Sequence, residues 1–167
     1  MIIGKRWDFW DFFLQIDVVD KTDDGHFFYG LCNFWIDDFP YPGNGVNITL
    51  NSTAWYMVKD YENMLNYEYD GSNLPLEQIN FDDEDNYDDE TIKHRLYDCD
   101  FGELFQYGLH VKTEIVGDTL RFFYSQNGGA WKLKEIPLAY YESIIKKLDK
   151  LCKENFQSLL DDRFNEN

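Results

Sequence analysis

The sequence predicts an α+β fold: an antiparallel sheet of about five or six strands, packed against two main helices near residues 52–65 and 138–161. Three observations predict it. The stretch 26–43, HFFYGLCNFWIDDFPYPG, is apolar on both faces of a period-two pattern. The segment 110–136 alternates strand-like runs with turn signals. The stretch 138–161 carries apolar side chains at helical spacing.

Taken in order, Phe12, Leu14, Ile16 and Val18 alternate with Phe13, Gln15, Asp17 and Val19, which makes a first strand. The turn cluster 20–25, DKTDDG, joins it to the next strand as an antiparallel hairpin. In that second strand Phe28, Cys32, Phe34 and Ile36 fall on one side, and Phe27, Tyr29, Leu31 and Trp35 on the other. A strand apolar on both faces needs cover on both, so the pattern makes it the central strand. Asp37 and Asp38, then Pro40, Pro42 and Gly43, stop it. A short edge strand over 46–50 follows. Asn51 or Ser52 then caps a helix whose inner face is Ala54, Met57, Val58, Tyr61, Met64 and Leu65.

The composition shifts over 60–103, where fifteen acids stand against two basic residues, Lys93 and Arg95. The peak is 82–90, DDEDNYDDE, with seven acids in nine positions. Like charges that close repel, which favours a loop or solvated surface over a buried element. The stretch 70–80 reads as irregular, and 89–99 as a short helix with Ile92 and Leu96 inward. Beyond it, 110–116 and 120–125 are strands about a Gly117-Asp118 turn, and Asn127-Gly128 signals a hairpin into 130–136. Pro137 suits the first turn of the terminal helix. Its stripe is Tyr141, Ile144, Ile145, Leu148, Leu151, Cys152, Phe156, Leu159 and Leu160. With no repeat and no linker, 1–167 reads as a single domain with an acidic irregular segment at about 66–90.

Hydrophobic residues make up 44% of the chain and aromatics 19%, so its net charge of −17 does not signal disorder. That field repels nucleic acid and anionic membranes and attracts basic proteins or cations. No stretch reaches membrane-spanning length, and Lys5, Arg6, Asp8 and Asp11 interrupt any signal-peptide core. Cys32, Cys99 and Cys152 are odd in number and far apart, which suits reduced thiols in the cytoplasm.

Catalytic patterns are missing. His26, His94 and His110 are isolated and have no metal-ligand spacing, so the expectation is no metal and no cofactor. Cys32 and Cys152 read as small buried hydrophobes, and the Asp98 and Asp100 flanks make Cys99 a poor nucleophile. The glycine pairs lack a phosphate-binding context. The chain is therefore expected not to be an enzyme. As a calcium loop counted from Asp82, the acidic run places Tyr87 and Lys93 where an EF-hand needs glycine and glutamate. A protein-binding surface fits better, because Tyr61, Tyr67, Tyr69, Phe81, Tyr87 and Tyr97 interleave with the acids. The candidate partner-binding residues are Asp82, Asp83, Glu84, Asp85, Asp88, Asp89 and Glu90 as steering charges, with Tyr67, Tyr69 and Tyr87 as contact groups.

Met1-Ile-Ile-Gly4 leads into an aromatic first strand, and Gly30, Phe34, Trp35, Ile36, Asp37 and Pro40 follow in the pattern Gly-x-x-x-Phe-Trp-Ile-Asp with proline soon after. This resembles the immunity protein 42 family, mainly over 1–65, with a weaker likeness around 109–124. The resemblance implies a small cytoplasmic protein that neutralises a toxin domain of a bacterial polymorphic-toxin or contact-dependent growth inhibition system. It implies no catalytic residues. The acidic segment 70–90 lies outside it. Together with the charge, it suggests a basic, nuclease-like toxin whose active site or substrate cleft the chain covers, with no nucleic acid or membrane as partner. The alternative is an acidic nucleic-acid mimic that blocks a host nuclease or restriction enzyme.

Overall fold

The computed structural model describes residues 1–4, 11–43, 45–81, 95–154, 156–157 and 159. Among them, nine strands form two antiparallel sheets. The first sheet holds β1 (Ile2–Ile3), β2 (Phe12–Lys21), β3 (Phe28–Ile36), β4 (Phe39–Tyr41) and β5 (Ile48–Thr49). The second holds β6 (Tyr97–Cys99), β7 (Leu109–Val116), β8 (Thr119–Gln126) and β9 (Lys132–Pro137) in that spatial order. The long helices are α1 (Leu50–Leu65) and α3 (Leu138–Lys153), and α2 (Glu103–Gln106) is a single turn. The fold is α+β as expected, but its strands divide between two sheets where the sequence predicts one.

β2 and β3 bury the expected alternate residues, Phe12, Leu14, Ile16 and Val18 against Phe28, Cys32, Phe34 and Ile36. β3 is central: β2 lies on one edge, and β4 and β5 share the other. At its crossing with β2, Gly30 is required by close approach, since a Cβ there would stand 2.0 Å from the Asp17 carbonyl oxygen. The second face of β3 departs from expectation. Tyr29, Leu31 and Trp35 are only half-buried, and Phe27 lies before the strand, exposed. Trp35 stacks on Phe13 at 5.6 Å and donates its indole N–H to Gln15. Asp37 and Asp38, with φ of 50° and 69°, make a two-residue turn that returns the chain as β4. Pro40 is tolerated there because β4 is an edge strand.

The strand buried on both faces is β8. Its inner residues Leu120, Phe122 and Tyr124 enter the core, while Arg121, Phe123 and Ser125 face the other way and are also buried. Their cover is the irregular segment 66–81. Phe81 stacks on Trp131 at 4.3 Å and meets Phe123 edge-on at 5.6 Å. The Leu74 carbonyl accepts from Arg121 Nη2 at 2.6 Å. Beneath it Arg121 Nη1 pairs with Glu114 at 2.5 Å, both side chains almost fully buried.

Several boundaries differ from expectation. Asn51 does not cap α1; its Oδ1 accepts from the Phe28 N–H at 2.7 Å, tying the helix to β3. Val58 is partly buried, whereas Leu65 is exposed and Asp60 takes a place on the buried face. Residues 97–99 of the expected short helix form β6, because the edge of β7 offers them a ladder. The stretch 89–94, with Ile92, lies outside the described residues; Arg95 is exposed and Leu96 half-buried. Asn127-Gly128 does turn, but pairing resumes only at Lys132. α3 ends at Lys153, not near 161; Phe156 adopts φ of 52° and returns its buried ring to Phe28 at 6.2 Å.

The inner faces of both sheets and the two long helices share one apolar core. Phe122 is its hub, with Phe12 at 5.2 Å, Phe34 at 5.5 Å and Tyr141 at 6.3 Å. Phe122→Ala is therefore expected to cost about 3–5 kcal/mol in urea unfolding. Glu114→Gln leaves Arg121 short of its buried counter-charge and should cost about 3 kcal/mol. Hydrogen exchange should then rise in 70–81 as well as in β7 and β8.

Candidate functional site

α1 and the segment from β6 to α2 lie side by side, and polar groups gather in the seam between them. The Tyr97 hydroxyl donates to Asp60 Oδ1 at 2.8 Å and accepts from Asn63 Nδ2 at 3.2 Å. Asp60 is only 5% exposed, and its Oδ2 has no hydrogen-bond partner. Burial raises its pKa to about 7; the charges of Asp100 and Asp98 push the same way, against the Tyr97 hydrogen bond. The Cys99 thiol is pushed well above its usual value, first by burial and then by Asp60. The expected direction for Cys99 is right, but burial outweighs the flanking acids.

The seam's outer edge is pinned by backbone contacts. Asp100 Oδ1 accepts from the Gly102 N–H at 3.0 Å, and Glu103 Oε2 accepts from the Thr49 N–H at 3.1 Å. Asp98 pairs with Lys112 at 3.2 Å. Gly102, at φ 59°, lies so close to Tyr56 that a Cβ would meet its ring at 3.0 Å. Both the buried carboxyl and the buried thiol are held towards their neutral forms, which suits a packed seam and gives no activated nucleophile.

Of the predicted contact residues, Tyr67 and Tyr69 border this seam. Their rings meet edge-on at 5.0 Å, and Tyr67 also meets Tyr97 at 5.5 Å. Both are half-buried. Burial raises the Tyr69 hydroxyl's pKa above the ordinary range. Asp82, Asp83, Glu84, Asp85, Tyr87, Asp88, Asp89 and Glu90 lie outside the described residues, as does the calcium-loop alternative. The segment before them ends on Trp131 through Phe81, and the chain after them starts at Arg95, whose N–H bonds Asp70 Oδ2 at 3.1 Å. Sequence reasoning missed Asp60, whose position at the helical spacing of Met57 and Met64 was the available signal. His26 is exposed, and His110 meets the Phe105 ring at 4.7 Å. Among the described residues, no three histidine, cysteine or acidic side chains come together as a metal site, and no helix is long and apolar enough to cross a membrane.

These features define an acidic α+β protein with aromatic side chains set among carboxylates along one helix. The chain belongs to the immunity protein 42 family, whose model matches residues 1–151. Immunity proteins neutralise toxins, and such a family implies a cognate toxin as partner. No curated protein and no solved structure matches the chain. The motif residues have structural roles: Gly4 lets Ile144 of α3 approach to where a Cβ would stand 2.6 Å away, and Gly30 admits the backbone of β2.

Asp60 gives stability a pH dependence of definite sign. The folded state holds this proton more tightly than the unfolded chain, whose value is near 3.8. The stability that Asp60 contributes is therefore fully present below about pH 4, is lost as pH rises towards about 7, and stays lost above. The charged or polar groups facing Asp60 are Tyr97, Asp98, Cys99 and Asp100 across the seam and Tyr141 from α3. Asp60→Asn keeps the hydrogen bond from Tyr97 and should raise stability at pH 8 by on the order of 1–3 kcal/mol. An unchanged slope between pH 5 and pH 8 would assign the titration to another group.

Proposed function

We propose that the chain is a non-enzymatic inhibitor, acting in the cytoplasm, of a basic, nuclease-type toxin domain from a contact-dependent inhibition or polymorphic-toxin system. It covers the toxin's active site or substrate cleft. The observation that carries the reading is membership of an immunity family by a chain of net charge −17. A nuclease must present cations to phosphate, so an acidic protein complements the same cleft. In this reading Asp82, Asp83, Glu84, Asp85, Asp88, Asp89 and Glu90 steer the encounter, while Tyr67, Tyr69 and Tyr87 supply contact area.

The test is co-expression and pull-down with the toxin domain encoded immediately upstream; the chain should bind it and protect the cell, and failure to do either would sink the reading. Replacing the seven acids with Asn and Gln should slow association at low salt by about tenfold or more and flatten its salt dependence. Unchanged low-salt association would leave the run a solubilising surface. Binding to many unrelated DNA-binding proteins, in place of one toxin, would instead favour nucleic-acid mimicry.

A further inference from the structure

We infer that the outer edge of α1, formed by Trp55 and Tyr56 against the turn at Gly102, is where the toxin domain docks an arginine- or lysine-bearing segment. This rests on the toxin-neutralising reading and deepens it, because it names a contact surface separate from the acidic run. Trp55 is 56% exposed and is not needed to complete the core. Tyr56 is partly exposed too, and it is backed by Gly102, so its ring is held in place. Trp55 meets it edge-on at 5.1 Å and 80°, leaving aromatic surface open to solvent. Trp55 and Tyr56, in contact with each other and exposed, form the kind of aromatic surface that marks an interaction site, and tryptophan and tyrosine are the residue types that dominate binding energy.

The surrounding charge selects the occupant. Glu62 lies on the same helix, Glu103 opens α2, and Asp98 and Asp100 precede it. The nearby cations are already engaged: Lys59 pairs with Glu62 at 3.1 Å and Lys112 with Asp98 at 3.2 Å. No cation among the described residues pairs with Asp100 or Glu103, and both carboxylates are oriented by the backbone N–H groups they accept. Open aromatic faces next to fixed carboxylates suit a guanidinium or ammonium group, which stacks on the ring and bonds the acid. A second copy of the chain fits less well, because each copy carries net charge −17.

The experiment measures binding kinetics of the full chain with the toxin domain encoded immediately upstream. Trp55→Ala and Tyr56→Ala should each raise Kd at least tenfold, mainly through faster dissociation, and Trp55→Lys should raise it further. Asp100→Asn should weaken binding less and reduce its salt dependence. Leu65→Ala, at the exposed C-terminal end of α1, should leave Kd unchanged. Unchanged melting temperatures show that the variants fold. If wild type binds but Trp55→Ala, Trp55→Lys and Tyr56→Ala all stay within twofold of it, this surface is not the contact and the toxin-neutralising reading survives. If wild type does not bind, both are overturned. Sedimentation in which Trp55→Ala dissociates a dimer, with toxin affinity unchanged, would assign the surface to self-association and overturn the inference.

Discussion

The structure depends on Phe122. From the middle of β8 its ring reaches Phe12 and Phe34 of the first sheet, Phe101 of the segment before α2, and Tyr141 of α3. Two small sheets, each with one face to bury, are joined through that contact. Aromatic pairs in tilted and edge-on arrangements add to the area they bury, and they fix how the layers sit on one another. Tyr140 contributes from the same helix, its one hydroxyl proton shared between the Gly4 and Phe12 carbonyls, and so ties α3 to the ends of β1 and β2. Between the two sheets, Lys134 of β9 bridges to Asp37 at 2.5 Å and to Asp11 at 3.4 Å, and Tyr41 of β4 meets Tyr124 of β8 at 5.0 Å.

That arrangement leaves the outer face of the second sheet to be covered by chain whose one regular piece is a single 3-10 turn at Leu76–Gln78. The segment 66–81 does so through Leu74 and Phe81, over a buried pair, Arg121 and Glu114. A buried ion pair adds little net stability, but it penalises every arrangement in which one partner is lost. The same guanidinium ties the cover to the sheet through the Leu74 carbonyl. The segment closes at Phe81, whose ring stacks on Trp131.

For a toxin-neutralising protein this divides the work between two kinds of residue. The motif glycines, Gly4 and Gly30, and the aromatic strands hold the layers together, while the rings of Trp55 and Tyr56 on α1 are exposed at the surface. Asp60 stands between these roles. It lies beneath the surface that carries Asp98 and Asp100, and their charges help to hold its proton.

The sequence by itself determined the class of fold, the alternating faces of β2 and β3, the β7–β8 hairpin and the stripe of α3, because each is a local periodicity that one inward face imposes. The family likeness was legible in the same way, through glycines and aromatics at fixed spacing. It did not determine which apolar face receives cover. β3 looks buried on both sides yet is half-open on one, whereas β8, carrying Arg121 and Ser125, is buried on both. An irregular segment decides that by docking from a distance in the chain, and no periodicity records it. Tertiary structure also decided that strands divide into two sheets, that 97–99 joins β7 as a strand, and that Asp60 is buried. Each of these depends on a partner far along the chain, and only the folded arrangement brings that partner into contact.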